Sequence, residues 1–231
     1  MTGKYYIYTL GCRVNQYESR AISEEFRARG YDETTVAADA DFKIINTCAV
    51  TGESERKSMQ AIRRIASAGS GRTYVVGCCG VPDEKKIPGV YYSGPRVRRG
   101  GLTMLAENVL ESLPERDGFE ELNVGAYAQK DRARAFIKIE DGCSNRCSYC
   151  IIPSLRGPVR LRDEESALEE IRRVTALGTQ EIVLTGIEIS AYRDLAGLIG
   201  KAAQIDTVKR IRLGSLDPRT QPHRRRLRLD R

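Results

Sequence analysis

The chain of 231 residues is long enough for two domains that each bury a hydrophobic core. Hydrophobic residues make up 41% of it and charged residues 30%, which excludes a disordered or fibrous protein. No apolar run approaches the roughly 20 residues that cross a bilayer, and residues 1–4 do not begin a secretion signal. We therefore expect a cytoplasmic protein with no membrane partner.

The net charge of +7 is concentrated at the C-terminus. Residues 219–231 contain six arginines and one aspartate, a balance of +5, which leaves only +2 for residues 1–218. Clustered basic residues bind nucleic acids by neutralising phosphates. The basic composition therefore belongs mostly to this tail and does not by itself assign a nucleic-acid partner to the rest of the chain.

Residues 1–130 alternate short β-rich runs with amphipathic helices, which is the pattern of parallel α/β units. The predicted strands cover residues 4–10, 41–46 and 73–76. Apolar spacing predicts helices over residues 17–26, 59–65 and 102–113. Their predicted ends are marked by Gly30, Gly69 and Pro114.

A second α/β series follows a charged segment at residues 115–132, which we interpret as a linker. Its predicted strands cover residues 135–139, 181–185 and 208–213, and its predicted helices cover residues 164–177, capped by Asp163, and 195–202. The chain thus divides into domains at 1–130 and 131–218 and a divergent basic tail at 219–231. Such repeats imply parallel sheets whose working residues lie at the carboxyl ends of the strands.

Seven cysteines and one histidine limit the metal chemistry that is available. A cytosolic chain with an odd number of cysteines is unsuited to a disulfide framework. Since the one histidine, His223, lies in the tail, a metal site would be built almost wholly from thiolates. Thiolate-only sites favour zinc or iron–sulfur clusters.

A C-x3-C-x2-C loop of Cys143, Cys147 and Cys150 directly follows the predicted strand 135–139. Three thiolates this close can bind three irons of a 4Fe-4S cube and leave the fourth iron open. An open iron can chelate S-adenosylmethionine, whose reductive cleavage gives an adenosyl radical. The aromatic Tyr149 just before the last cysteine strengthens this interpretation. The alternative is a structural zinc site, which ordinarily has four ligands and a second Cys or His pair.

Cys12, Cys48 and Cys78 each follow one of the first three predicted strands. Because the carboxyl ends of parallel strands lie along one edge of a sheet, these three thiols can meet at one point. They predict a second three-thiolate cluster site. The alternative is that they are ordinary buried cysteines, since free cysteine is among the most buried residue types. Cys79 is interpreted as a bystander, because Cys78 takes the first position after its strand.

Four motifs together resemble the methylthiotransferase family: TLGCRVNQYES at residues 9–19, NTCAVT at 46–51, VGC at 76–78 and DGCSNRCSYCIIP at 141–153. Within the family, RVNQYE at residues 13–18 is similar to the branch that modifies threonylcarbamoyladenosine beside the tRNA anticodon (MtaB type). The resemblance implies an α/β fold, with an N-terminal parallel-sheet methylthiotransferase domain followed by an incomplete radical S-adenosylmethionine (β/α) partial barrel.

The resemblance also implies cofactors and partners. Cys143, Cys147 and Cys150 would hold the radical-generating 4Fe-4S cluster, and Cys12, Cys48 and Cys78 an auxiliary 4Fe-4S cluster linked to sulfur delivery. S-adenosylmethionine would serve as methyl donor and as radical source, with tRNA as substrate and flavodoxin or ferredoxin as reductant. Tyr149 and Gly186 are the expected contacts with S-adenosylmethionine. Two alternatives stay open: modification of isopentenyladenosine in tRNA, and a non-catalytic iron–sulfur module.

The resemblance covers residues 4–217 and implies that a C-terminal half is missing from this chain. A basic stretch of Arg156, Arg160 and Arg162 matches the family, although charge alone favours a solvated face over a phosphate site. We interpret residues 219–231 as a read-through in a shifted frame or an artificial end, with an RNA-binding arm as the alternative. Three barrel strands leave an open edge. We therefore expect cluster binding without methylthiolation by this chain alone.

Overall fold

The computed structural model of the chain describes residues 3–92 and 134–217, which fall into two compact units. The first unit comprises Met1–Leu122 with Asn145–Gly157, and the second comprises Asn123–Ser144 with Pro158–Arg231. The predicted helix at 102–113, the linker at 115–132 and the tail at 219–231 lie outside the described residues. The boundary near residue 130 stays a prediction for the same reason.

The first unit is built on a parallel five-stranded sheet with the order β2-β1-β3-β4-β5. Its register places Thr9 opposite Asn46 and Thr47 opposite Gly77, so that β1, β3 and β4 end together. The five strands are β1 Lys4–Thr9, β2 Asp32–Glu33, β3 Phe42–Thr47, β4 Arg72–Gly77 and β5 Val90–Tyr92.

Two helices, α1 Arg13–Ala28 and α2 Gly52–Ala66, cover opposite faces of this sheet. Successive side chains of a strand point to opposite faces, so Ile44 packs in the core with α1 while Ile45 packs in the core with α2. The predicted apolar stripe of α1 is buried, and its Phe26 stacks on Tyr5 with ring centroids 4.7 Å apart.

The second unit has a parallel sheet of three strands with the order β10-β9-β6, beside an antiparallel pair, β7 with β8. Its core lies between this sheet and two helices. In chain order the elements are β6 Arg134–Lys138, β7 Glu140–Asp141, β8 Arg160–Leu161, α4 Glu164–Ala176, β9 Glu181–Thr185, α5 Leu195–Ala203 and β10 Arg210–Leu213. The short helix α3 Ile152–Arg156 belongs to the first unit.

The expected α/β class is confirmed, and so are the predicted strands and helices that fall on described residues. Asp163 caps α4 as predicted, accepting the backbone N–H of Ser166 at 3.0 Å. Sequence patterns missed β2, β5, β7, β8 and α3, because elements of two to five residues are too short to show periodicity. Across the described ranges, no helix is long and apolar enough to span a membrane.

Candidate iron–sulfur sites

Cys12, Cys48 and Cys78 follow three neighbouring strands, as the sequence predicts. Cys12 is the exposed N-cap residue of α1, Cys48 follows β3 and Cys78 follows β4, and the last two are buried. All three are free thiols. Because β1, β3 and β4 are adjacent and parallel, the loops that carry these cysteines emerge along one edge of the sheet.

The buried Asn15 side chain joins the three cysteine-bearing loops. Its Oδ1 accepts the Cys12 thiol at 3.3 Å, and its Nδ2 donates to the Thr47 carbonyl at 2.7 Å and to Asn46 Oδ1 at 3.1 Å. The Cys78 N–H donates to the same Thr47 carbonyl at 3.0 Å. One amide therefore ties the Cys12 loop to the residue before Cys48, and that residue holds Cys78.

A close approach at Gly11 brings the first two loops together. A Cβ atom at Gly11 would lie 2.9 Å from Cys48 Cβ and 3.2 Å from Cys48 Sγ, and the φ of Gly11 is +103°. Only glycine meets both conditions without strain. Cys48 itself is held by Ser58, whose hydroxyl accepts its N–H at 3.1 Å and donates to its carbonyl at 2.8 Å.

Cys79 directly follows Cys78 and is also buried. Its N–H donates to Thr47 Oγ1 at 3.1 Å. Burial raises the pKa of its thiol to about 11, and the nearby charges of Glu55, Cys48 and Cys78 add to that rise. The interpretation of Cys79 as a bystander stays a prediction.

The donor set at this sheet edge consists of three free thiols. Among residues 3–92 and 134–217, no three Cys, His, Asp or Glu side chains are arranged to hold one metal ion. The ligands of a zinc ion converge to about 2.3 Å from one point, whereas a 4Fe-4S cube takes each thiolate at a different iron. Three free thiols on three separate loops are the donor type that iron–sulfur clusters take.

The C-x3-C-x2-C loop begins at Gly142, whose φ is +85°. All three of its cysteines are half-buried free thiols. The Cys150 N–H donates to the Cys147 carbonyl at 3.0 Å, which closes a tight turn in the first unit. Cys143 belongs to the second unit, whereas Cys147 and Cys150 belong to the first. The expectation that the three cysteines share one cluster therefore rests on their closeness in sequence. Tyr149 is 89% exposed.

Gly186 lies at the carboxyl end of β9, against a residue that sequence reasoning missed. A Cβ atom there would lie 2.6 Å from Glu140 Oε2 and 2.9 Å from the Glu140 carbonyl. The same Oε2 accepts the N–H groups of Ile187 and Glu188, each at 2.7 Å. A charged residue at a buried strand end, three positions before a cysteine loop, was the available signal.

Glu140 is fully buried, and its Oε1 has no hydrogen-bond partner among the described residues. Burial raises its pKa to about 7, although the two N–H groups at Glu188 and Ile187 favour the ionised form and oppose the rise. Asp141 adds to the rise and Lys138 opposes it. The loop that follows β9 is therefore held by two hydrogen bonds to the buried Glu140 carboxyl group, whose pKa is raised to about 7.

The basic stretch at residues 156–162 is not a solvated face. Arg156 and Arg162 are both buried, and each has internal partners. Arg162 pairs with the buried Glu170. Arg160 is half-buried and donates to Asp141 Oδ2 at 3.2 Å. The expectation of a solvated face is therefore wrong for two of the three arginines, because polar partners from other elements satisfy them inside the fold.

Two protein-family models match the chain. The uncharacterized protein family UPF0004 matches residues 4–90. The radical SAM superfamily matches residues 137–229, so the match extends into the basic tail at residues 219–231. These matches fall on the two α/β series and contain, respectively, the three N-terminal cysteines and the cysteine loop.

Curated relatives carry methylthiotransferase names. The chain is 36% identical over 222 residues to a threonylcarbamoyladenosine tRNA methylthiotransferase MtaB of Chlamydia pneumoniae, covering 94% of this chain and 52% of the relative. It is 36% identical over 189 residues to the ribosomal protein uS12 methylthiotransferase RimO of Thermus thermophilus, covering 80% and 42%. It is 30% identical over 240 residues to a tRNA-2-methylthio-N(6)-dimethylallyladenosine synthase of Anaplasma phagocytophilum, covering 95% and 54%.

The chain spans about half the length of these curated relatives. Among solved structures, it is similar to a radical S-adenosylmethionine methyltransferase, TsrM, of Kitasatospora setae, with a TM-score of 0.50 and 14% identity. That match covers 88% of this chain and 50% of TsrM. At this identity the likeness concerns the fold alone, and it agrees with the expected α/β architecture.

Proposed function

Because this chain belongs to the methylthiotransferase family of radical S-adenosylmethionine proteins, we propose that it is the cluster-binding front part of a tRNA methylthiotransferase. The proposed reaction adds a methylthio group to carbon 2 of N6-threonylcarbamoyladenosine beside the anticodon. The observation that carries the proposal is the meeting of the Cys12, Cys48 and Cys78 loops around Asn15 at one sheet edge.

Each cysteine set has its own role in this proposal. Cys143, Cys147 and Cys150 hold the 4Fe-4S cluster that, with S-adenosylmethionine bound, supplies radical chemistry. Cys12, Cys48 and Cys78 hold the auxiliary 4Fe-4S cluster where sulfur is delivered. Cys48 and Cys78 are buried, while Cys12 is exposed and its thiol donates to the buried Asn15 side chain.

The reaction exchanges the hydrogen at carbon 2 for a methylthio group. One S-adenosylmethionine would give its methyl group to sulfide-level sulfur at the auxiliary site and leave as S-adenosylhomocysteine. A second would be cleaved with one electron, which we assign to a reductant such as flavodoxin or ferredoxin, into methionine and an adenosyl radical that takes the hydrogen atom from carbon 2 and leaves as 5′-deoxyadenosine. Bonding of the carbon-2 radical to the methylated sulfur would release one electron, for which the auxiliary cluster is the proposed acceptor.

The carboxyl end of β9 is proposed to hold one end of S-adenosylmethionine. Gly186 is a buried glycine there whose missing Cβ leaves room for Glu140, and Glu140 fixes the two N–H groups that follow it. A loop that is ordered before the ligand arrives loses less entropy on binding. Tyr149, exposed beside Cys150, is the second proposed contact.

Iron content after anaerobic reconstitution with iron and sulfide tests the two-cluster proposal. We expect about eight irons for each chain, because each proposed 4Fe-4S cluster contributes four. About four irons would leave one cysteine set without a cluster. About one metal ion for each chain would favour the zinc alternative instead.

The substrate is tested in cells whose tRNA lacks both methylthioadenosine modifications. The chain is expressed alone and together with the C-terminal half of the Chlamydia pneumoniae relative, and digested tRNA is analysed by mass spectrometry. We expect the threonylcarbamoyl product from the pair and no product from the chain alone, since its described second sheet has three strands. An isopentenyl product would favour that alternative, and full clusters without any product from the pair would favour a non-catalytic module.

A further inference from the structure

Arg156 is an arginine inside the first unit, six residues after Cys150. It is the last residue of α3, and only 1% of its side chain is exposed. An arginine is tolerated inside a protein when its charge and its donors find partners. Its Nη2 donates to Asn15 Oδ1 at 2.8 Å, and its Nη1 reaches Glu18 Oε1 at the longer distance of 3.4 Å. The shorter contact therefore places Arg156 on the amide that joins the Cys12, Cys48 and Cys78 loops.

The orientation of the Asn15 amide follows from its partners. Nδ2 faces the Thr47 carbonyl, which can only accept, and Oδ1 faces the Arg156 guanidinium, which can only donate. With Cys12 Sγ as the second donor to Oδ1 and Asn46 Oδ1 as the second acceptor for Nδ2, all four hydrogen-bonding positions of the amide are used. Arg156 supplies a donor that keeps Asn15 in place whether or not the Cys12 thiol donates.

Asn15 is also held from the strand side. Asn46 Nδ2 donates to the Asn15 carbonyl at 2.9 Å and to Ser19 Oγ at 3.0 Å, so the first turns of α1 are bound to the end of β3. We call Asn15, Asn46 and Arg156 the amide hub. A change at any member is therefore expected to move the Cys12 loop relative to the Thr47–Cys48 loop.

The segment between Cys147 and Arg156 is stiff. The Cys150 N–H closes on Cys147, the N–H groups of Ser154 and Leu155 donate to the Ile151 carbonyl, and the Gly157 N–H donates to the Pro153 carbonyl. Leu155 is buried beside Arg156. Since a short, internally bonded segment connects them, fixing Arg156 restricts where Cys147 and Cys150 can lie.

We propose that Arg156 is a positioning residue that acts through Asn15 to couple the two cysteine sets. It fastens the segment carrying Cys147 and Cys150 to the amide that arranges Cys12, Cys48 and Cys78. Order in one site then favours order in the other, and by linkage the effect is reciprocal. The inference rests on the proposed function for the identity of the bound clusters, but the hub itself consists of contacts within the protein.

The first test measures each site in the absence of the other. In a full-length chain with Cys143, Cys147 and Cys150 replaced by alanine, Arg156→Met should speed loss of the remaining iron to a chelator by roughly 10- to 100-fold, the usual effect of losing a group that orients a metal ligand. In a chain with Cys12, Cys48 and Cys78 replaced, Asn15→Leu should speed loss of iron from the loop. Arg156→Lys, which keeps one donor and the charge, should restore part of the retention.

Arg29→Met is the matched control. Arg29 also pairs with a carboxylate in the first unit, Glu25, but it lies at the other end of the 16-residue helix α1. Asn15 and Arg29 are 14 residues apart, which is about 21 Å along the helix axis. If Arg156→Met and Arg29→Met release iron at the same rate, Arg156 does not position the site and the proposal is wrong.

The second test needs no cluster. In the reduced, metal-free chain, Arg156→Met should raise the alkylation rate of the buried Cys48 several-fold, measured by mass spectrometry, while Arg29→Met should not. Far-ultraviolet circular dichroism checks that each variant is folded. If Arg156→Met does not fold, Arg156→Lys replaces it in the alkylation experiment. If the reconstituted chain binds no iron but shows the expected alkylation pattern, the proposed function is refuted and the positioning role of Arg156 stands. If the chain binds iron but Arg156→Met changes neither alkylation nor iron retention, the positioning role alone is refuted.

Discussion

The two cysteine sets of this chain are assembled in opposite ways. Cys143, Cys147 and Cys150 lie within eight consecutive residues, whereas Cys12 and Cys78 are separated by 66 positions with Cys48 between them. The distant set comes together because β1, β3 and β4 are neighbours in one parallel sheet and end in register. The near set is already close in sequence, before any strand pairing.

This difference determines what each site depends on. Closing a short loop has a small entropy cost, so the loop cysteines need less support from the fold than the distant set does, with the Arg156 contact to Asn15 as the one proposed here. The distant set needs the sheet, the bare backbone of Gly11 and the four hydrogen bonds of Asn15. Substitutions that leave every cysteine in place should therefore weaken the distant set more than the near one.

Replacing Cys143, Cys147 and Cys150 together by alanine should have the largest effect and divides the two sites most sharply. We expect reconstituted protein to lose about half of its iron and to keep the N-terminal cluster, since that cluster draws on no loop cysteine. Iron analysis and the absorption near 400 nm measure the change. A triple variant with its full iron content would show that the loop binds no cluster.

Cys78→Ala and Cys79→Ala test which neighbour belongs to the distant set. Cys78→Ala should abolish the N-terminal cluster, while Cys79→Ala should cost little iron, because burial raises the pKa of the Cys79 thiol to about 11 and disfavours its thiolate. Iron is counted after anaerobic reconstitution of both variants. The opposite order of iron loss would assign the ligand to Cys79.

Gly11→Ala tests the dependence of the distant set on the fold with every cysteine present. A Cβ atom there would clash with Cys48, and the φ of +103° disfavours any residue but glycine. We therefore expect the free energy of unfolding to fall by about 1–3 kcal/mol and iron to be lost from the N-terminal site. Urea unfolding and iron analysis measure both. Gly30→Ala is the control, because Gly30 has a φ of +82° but no atom within 4 Å of an added Cβ.

The control variant should lose about 1 kcal/mol from its backbone conformation alone and keep all of its iron. Equal iron losses in the two glycine variants would mean that the Gly11 contact does not shape the site. The loop cluster should be retained in the Gly30→Ala variant, whereas in Gly11→Ala its iron should be lost somewhat faster, because an added Cβ would also lie 3.3 Å from Asn15 Cγ.

Glu140→Gln should have the smallest effect on iron content, because it changes the stability of the fold and no cysteine. Because burial raises the pKa of Glu140 from its ordinary 4.5 to about 7, the folded chain holds this proton more tightly than the unfolded chain does. This stabilising contribution is complete below about pH 4.5 and is lost as the pH rises through about 7. The contribution is about 3 kcal/mol, since one pKa unit corresponds to about 1.4 kcal/mol.

In the Glu140→Gln variant this decline with pH should disappear, which urea unfolding at intervals from pH 4.5 to 7.5 measures. Glu165→Gln, at an exposed position of α4, is the control and should follow the parent chain. A variant that keeps the parent's pH profile would show that Glu140 does not ionise in this range in the folded chain.

Much of the framework could be predicted from local pattern. The strands that precede Cys12, Cys48 and Cys78 are visible in the sequence as apolar runs, and Asp163 is visible as a cap before α4. The roles of Asn15 and Arg156 could not be predicted, because these residues are 141 positions apart and nothing near either one indicates the other. Arg156 and Arg162 resembled surface residues, since composition reports charge but not the partners that satisfy it.

The sequence by itself determined the α/β series, the C-x3-C-x2-C loop and the placement of three cysteines at successive strand ends, because spacing, capping and apolar alternation are properties of neighbouring residues. Only the tertiary structure decided the strand order, the amide hub and the position of Glu140 beneath Gly186. A polar side chain is stable inside a protein only where distant segments meet its hydrogen-bonding groups. Those meetings depend on the packed fold and not on any local pattern.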